Sequence, residues 1–347
     1  MEAMASRGWG GGQRGCGTVG AVMAANFDPR ISHCDSSMTG NSKRPNDRQS
    51  SYFGLIKKHK AISLVLVTKR VCRQQRSSHK ASRKSTSIPE SMLYIIPTII
   101  HSNLILIQMY PSSHTVHPTA PHTHTIIFLH GRGSNATDFC SEIFESQDSS
   151  GAYFTQLFLS VKWVFPCAKQ SWSNLDQEDV HQWFDMTNVQ NAHEDPEVQR
   201  PGLQESRTQL LRVAWEEEQY VPRDRIIVAG ISQGCALALY TLASSEIRVG
   251  GFFGLCGWLP LADELSKDDR YELRWNDLIR IPILLQHCED DAVVPIASGK
   301  TMRDWLDKGG SALEWQQFEK GGHWLNEPQG MDGIVKFLER IMATKPT

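Results

Sequence analysis

From residue 125 to the C-terminus, short unbroken apolar runs alternate with longer stretches of helical apolar spacing. Thr125-Ile126-Ile127-Phe128-Leu129 shows no period-two alternation, the pattern of a strand covered on both faces. The same reading predicts strands over 161–165, 225–229, 250–255, 281–286 and 313–318. Helices are predicted over 203–219, 233–243, 298–308 and 329–342; in the first, Leu203, Leu210, Leu211 and Ala214 share one face. Buried strands alternating with helices predict an α/β fold, its sheet mostly parallel and helices on both faces. No repeat of about 20–50 residues is visible, which excludes solenoids and propellers.

Residues 1–108 have a different texture. No helical or strand period is sustained there, and the apolar run at 61–67 is too short to build a core. Pro111, Pro118 and Pro121 mark an extended lead-in to the first buried strand. The most apolar early stretch, 93–109, is interrupted by Pro97, His101, Ser102, Asn103 and Gln108. It falls short of the roughly 20 apolar residues of a membrane helix, so no transmembrane anchor is expected.

Composition sharpens that division. The 347 residues are 40% hydrophobic, 21% charged and 9% aromatic, with a net charge of −2, values of an ordinary globular chain. Yet residues 1–90 carry 16 Lys/Arg against 5 Asp/Glu, whereas residues 91–347 carry 20 against 33. The expected organisation is a basic extension at 1–108, disordered or processed, ahead of a domain at 109–347. A chain starting at Met109 keeps that whole domain. The basic segment shows no nucleic-acid recognition motif, and no nucleic-acid partner is expected. The eight cysteines form no C-x-x-C pair and no Cys/His set with zinc-ligand spacing. Buried, reduced thiols of a cytoplasmic protein are the expectation.

The strongest chemical signal is Ile226-Ile227-Val228-Ala229-Gly230-Ile231-Ser232-Gln233-Gly234. It reads as a buried strand, then G-x-S-x-G, then a helix rich in Ala and Leu. In a nucleophile elbow the chain turns so tightly that residues two before and two after the serine must be small. The turn lifts the hydroxyl to the carboxyl end of the sheet and aims the next helix's N–H groups at the reacting oxygen. A serine needs a base and an orienting acid, here in the chain order Ser, Asp/Glu, His. Glu289, Asp290 and Asp291 follow the strand at 281–286, and any of the three fits the acid. His323, in a glycine-rich loop, is the one histidine C-terminal to them. Leu129-His130-Gly131-Arg132-Gly133 supplies an early loop whose Arg132 amide pairs with that of Gln233 as an oxyanion hole. His114, His117, His122 and His124 lie on a Pro/Thr-rich lead with no carboxylate among them, and no metal is expected there. Glu216-Glu217-Glu218 reads as a solvated helix end.

Four motifs together resemble the phospholipase/carboxylesterase family of α/β hydrolases, the group containing the acyl-protein thioesterases and small carboxylesterases. They are Phe128-Leu129-His130-Gly131-Arg132-Gly133, Gln182-Trp183-Phe184-Asp185, Gly230-Ile231-Ser232-Gln233-Gly234, and Asp291-Ala292-Val293-Val294-Pro295 with the later Gly322-His323. The resemblance implies an α/β-hydrolase fold, with Ser232 as nucleophile, Asp291 as orienting acid and His323 as base. Its D-x-x-V-P register selects Asp291 among the three acids. Cys235 stands where a second glycine often follows the elbow, and Cys288 and Asp290 alter the usual H-G-x-x-D approach. Trp183 and Phe184 belong to an aromatic-rich segment expected to wall an acyl groove. The implied activity is cofactor-free hydrolysis of carboxylic esters or thioesters, with S-acylated proteins, lysophospholipids or small esters as substrates. The contrasting expectation is a catalytically silent hydrolase fold that only binds.

Overall fold

The computed structural model describes residues 110–267, 271–308 and 310–343. The extension expected at 1–108 lies outside the described residues. Among the described residues nine strands follow in chain order: β1 (His114–Val116), β2 (His124–Leu129), β3 (Val161–Phe165), β4 (Gln170–Ser173), β5 (Glu178–His181), β6 (Ile226–Ile231), β7 (Gly251–Leu255), β8 (Ile283–Cys288) and β9 (Leu313–Phe318). Seven form one sheet in the order β1-β3-β2-β6-β7-β8-β9, while β4 and β5 pair as a separate hairpin. Only β1 runs antiparallel within the large sheet; every other neighbour is parallel.

The helices are α1 (Ala136–Ile143), α2 (Phe154–Leu157), α3 (Pro196–Glu217), α4 (Gln233–Ser244), α5 (Ala262–Leu265), α6 (Tyr271–Leu278), α7 (Ile296–Asp307) and α8 (Gln329–Ala343). They divide between the faces of the sheet. On one face Ile127, Leu129, Val228 and Phe252 pack with Leu203, Leu210 and Val213 of α3, the apolar residues of α4, and Met302 and Leu306 of α7. On the other, Ile126, Phe128, Ile227 and Phe253 pack with Phe139 and Ile143 of α1 and with Met331, Ile334 and Phe337 of α8. Successive strand residues thus feed opposite cores, the physical reason that these strands read as unbroken apolar runs.

The chain leaves β2 outward to β3 and returns to lay β6 on the other side of β2. Opposite departures open a crevice at the carboxyl ends of the two strands, where open α/β sheets bind their ligands.

Several elements differ from expectation: the hairpin β4–β5 and the short helices α2, α5 and α6 were not predicted, and three further cases have a local cause. The lead-in forms β1, a short edge strand paired His114 to Phe165 through Val116 to Trp163. Helix α3 starts at Pro196 rather than 203 and carries Pro201 through its interior. Proline suits the first turn at Pro196, but Pro201-Gly202 reads as a break. The helix needs that glycine: a Cβ on Gly202 would stand 2.6 Å from Phe184 Cα. The short α1 was not expected. Its N-cap Asn135 side chain accepts from the Thr137 and Asp138 amides, both at 3.0 Å.

Candidate active site

Ser232 stands between β6 and α4 at φ 55°, ψ −124°, a left-handed backbone conformation that a non-glycine residue holds only under strain. Its N–H is fixed to the Leu255 carbonyl at 2.8 Å, and its carbonyl accepts the Ala236 N–H at 3.0 Å. The flanking glycines are there because the turn closes on itself. A Cβ on Gly230 would lie 2.4 Å from Gly234 C, and one on Gly234 would lie 2.4 Å from the Leu129 carbonyl oxygen. The elbow is therefore packed directly onto the end of β2.

That contact brings up the second loop. A Cβ on Gly131 would sit 3.5 Å from Ser232 Cβ, so the 130–133 loop passes beside the serine. The Gly133 N–H donates to the His181 carbonyl at 2.8 Å and the Ser134 N–H to the Gly131 carbonyl at 3.3 Å. No hydrogen bond among the described residues takes up the Arg132 N–H. Gln233 opens α4, so its N–H lacks a partner within the helix. The Arg132 guanidinium meets Ser173 and Asp176 of the β4–β5 hairpin and, at 3.4 Å, Gln182 Oε1. Its role there is to tie the hairpin to the loop.

The three acids after β8 go to three places. Glu289 takes the Gln317 amide. Asp290 accepts the N–H groups of Gly322 at 2.8 Å and Gly321 at 3.3 Å, bracing the loop that carries His323. Gly322, at φ 63°, supplies the left-handed turn which presents the next residue. Asp291 alone reaches the imidazole: His323 Nδ1 lies 2.7 Å from Asp291 Oδ2. The other oxygen, Oδ1, accepts the Val293 and Val294 N–H groups, each at 2.9 Å. Burial raises the Asp291 carboxyl, but hydrogen bonds from His287 and His323, the His323 charge and the Val294 amide outweigh it. The net result holds it well below the usual carboxylate range, so it is ionised.

The chain order Ser, acid, His does not single out His287, because it precedes the acid. It is buried, with Nε2 3.2 Å from Asp291 Oδ2 and 3.0 Å from the Val294 carbonyl. Its signal was a polar side chain at the end of an unbroken apolar strand. Trp183 and Phe184 are 2% and 1% exposed, and with Asp185 they border a cavity of about 340 Å³ against α3. Toward the elbow they act through hydrogen bonds. The Trp183 indole donates to the His130 carbonyl at 2.8 Å. The Gln233 side chain accepts the Trp183 N–H at 2.8 Å and donates to the Phe184 carbonyl at 2.7 Å.

Ser232, Asp291 and His323 follow β6, β8 and β9 respectively, all at carboxyl ends of the sheet. On the intervening strand β7, Leu255 holds the Ser232 N–H; the residue after the strand, Cys256, turns its Sγ to the Trp324 carbonyl at 3.4 Å. The lead-in histidines have local partners instead. His122 Nε2 lies 3.0 Å from Thr125 Oγ1, and His124 Nδ1 lies 3.0 Å from Thr123 Oγ1.

Comparison with known proteins agrees with this architecture. The profile of the Phospholipase/Carboxylesterase family matches residues 111–342. Acyl-protein thioesterase 1 of Yarrowia lipolytica is 30% identical over 224 residues, 63% of this chain and 92% of that protein. Acyl-protein thioesterase 1 of Schizosaccharomyces pombe is 29% identical over 232 residues, 66% of this chain and 96% of that protein. Among solved structures, Zea mays acyl-protein thioesterase 2 is 26% identical with a TM-score of 0.55, covering 67% of this chain and 100% of that one. No helix among the described residues is long and apolar enough to cross a membrane. The chain belongs to the phospholipase/carboxylesterase family of α/β hydrolases and is a hydrolase of carboxylic ester or thioester bonds.

Proposed function

We propose that the chain is an acyl-protein thioesterase or closely related carboxylesterase, working through Ser232, Asp291 and His323. The observation that carries this reading is the 2.7 Å contact between His323 Nδ1 and Asp291 Oδ2 at the sheet end that bears the Ser232 elbow. His323 Nε2 takes the proton as Ser232 Oγ attacks the acyl carbonyl, and Asp291 steadies the imidazolium through Nδ1. The amides of Arg132 and Gln233 receive the developing oxyanion. The carbon–sulfur or carbon–oxygen bond then breaks, and His323 returns the proton to the leaving thiol or alcohol. Water, activated by the same imidazole, cleaves the acyl-enzyme to the free acid and regenerates Ser232.

A thioester preference is supported by the thioesterase relatives, each matched over nine-tenths of its length. The hairpin tied to the Arg132 loop exposes Trp172 (53%) and Leu175 (37%), apolar surface on which an acyl chain can lie. All of this machinery lies within residues 109–347. The five described cysteines, Cys140, Cys167, Cys235, Cys256 and Cys288, are buried and free, which suits work in the reducing cytoplasm.

Replacing Ser232→Ala in the full chain is expected to lower hydrolysis of an S-palmitoyl peptide by about 10⁴-fold or more. A fluorophosphonate probe should label wild type at Ser232 and leave the variant unlabelled. An unlabelled wild type with no turnover of thioester, lysophospholipid or short ester points to a silent fold that only binds.

A further inference from the structure

We propose that Cys256, Asp291 and His323 form an inhibitory site for a thiophilic divalent cation, Zn²⁺ foremost, that switches the hydrolase off by occupying its base. The proposal rests on the assignment of His323 as base. One ligand atom from each of the three side chains lies within 4.8 Å of the other two. Sulfur, carboxylate oxygen and imidazole nitrogen are the donors zinc takes, and a site with three protein ligands leaves the fourth position to water. Zinc–ligand bonds of about 2.0–2.3 Å set the donors roughly 3.3–3.5 Å apart, so the sulfur must draw in by up to about 1.3 Å, while His323 Nδ1 and Asp291 Oδ2, 2.7 Å apart, must part slightly. Cys256 and Asp291 are fixed and buried, whereas His323 sits on a loop with its side chain 21% exposed. The exposed ligand is the one that opens the way in.

Charge favours the ion as well. At neutral pH an ordinary thiol is protonated and a carboxylate is ionised. With the imidazole in the neutral form that a base requires, the three groups carry one negative charge. Zinc displaces the thiol proton to solvent and binds a thiolate, a carboxylate and a neutral imidazole, giving zero net charge in a buried place. If the metal takes Nδ1, the imidazole proton passes to Nε2, the atom that must receive the Ser232 proton. If it takes Nε2, the lone pair itself is used. Either arrangement removes the base. Cys256 has no part in the proposed hydrolysis, so it separates inhibition from catalysis.

The test uses the full chain and ZnCl₂ in a non-chelating buffer, with Co²⁺ as a spectroscopic stand-in. Wild type should lose thioesterase activity on adding zinc and regain it with a chelator. Its cobalt form should show a thiolate charge-transfer band. Cys256→Ala should keep its metal-free activity, need about tenfold more zinc or greater for inhibition, and lose that band. Ser232→Ala, inactive, should bind zinc as wild type does when competed against a chromogenic chelator. Should Cys256→Ala fold poorly, Cys256→Ser keeps a donor toward the Trp324 carbonyl with a weak zinc ligand, and the same losses are expected. Equal zinc sensitivity of wild type and the Cys256 variants overturns the proposal, as does a cobalt spectrum unchanged by them. If wild type proves inactive on every substrate, the hydrolytic reading falls, and the band and chelator competition still decide the metal site.

Discussion

The Gln233 side chain reaches backbone groups about fifty positions away, at Trp183 and Phe184, and is itself fully buried. Its own amide is a proposed oxyanion donor, so these two bonds set the direction in which that N–H points. Gln233→Glu keeps the shape and the acceptor but removes the donor, setting a carboxylate oxygen against the Phe184 carbonyl. We expect kcat for thioester hydrolysis to fall by about tenfold to a hundredfold with KM little changed, part of the cost of losing an oxyanion donor. Steady-state kinetics check this, and an unaltered kcat would count against the positioning role. The proposed backbone role of Gln233 was legible in its motif. The side-chain role was not, because its partners are distant in sequence. The acids show the same limit: Glu289, Asp290 and Asp291 are adjacent and chemically alike, and the turn after β8 sends them to Gln317, to the Gly321–Gly322 amides and to His323. Only the family register distinguished them in advance.

At the scale of elements, the apolar pattern located the buried strands and the helices that follow them, because burial on both faces leaves a continuous signature. It was weaker where short-range chemistry or close approach decides. The hairpin β4–β5 alternates little, and α3 runs through Pro201-Gly202 because the helix must press on the 183–184 segment. Glu217, read as part of a solvated acidic run, is instead 6% exposed. Lys162 Nζ of β3 binds its two oxygens at 2.7 and 2.8 Å, and the Thr125 hydroxyl of β2 donates to it at 3.2 Å. The same ammonium lies 4.5 Å from the centre of the Tyr220 ring. The C-terminal end of α3 is thereby locked to two strands. Glu217→Ala strands a lysine whose side chain is only 12% exposed, and should cost about 3 kcal/mol, read as a lower urea midpoint at neutral pH. Glu217→Ala with Lys162→Met, which removes both charges, should recover much of that loss; a double variant no better than the single one would refute the pairing.

At the scale of the whole molecule, the loop beside the elbow couples folding to pH through His130. This ring is fully buried, with Nδ1–H donating to the Gly131 carbonyl at 2.7 Å and Nε2 accepting the Ala168 N–H at 3.0 Å. Both nitrogens are committed in the neutral form, so a second proton would break the Ala168 bond. Burial lowers the pKa to about 4, against the Gly131 hydrogen bond, which raises it. In the unfolded chain a histidine titrates near 6.5, so between these values the unfolded state binds more protons. Stability therefore rises with pH across that window and is lost as pH falls through it. Burial lowers His124 and His193 as well, with the same sign. Asp291, depressed below the usual carboxylate range, adds its own loss only in stronger acid. From His130 alone, unfolding free energy should drop by about 2 kcal/mol between pH 7 and about pH 4.5. Urea denaturation at the two pH values measures it, with His130→Asn as the control whose pH slope must be smaller. A slope identical in both proteins would remove His130 as the cause. The loss falls on the loop that carries Gly131 and Arg132, so hydrolysis should fade in mild acid before the domain unfolds.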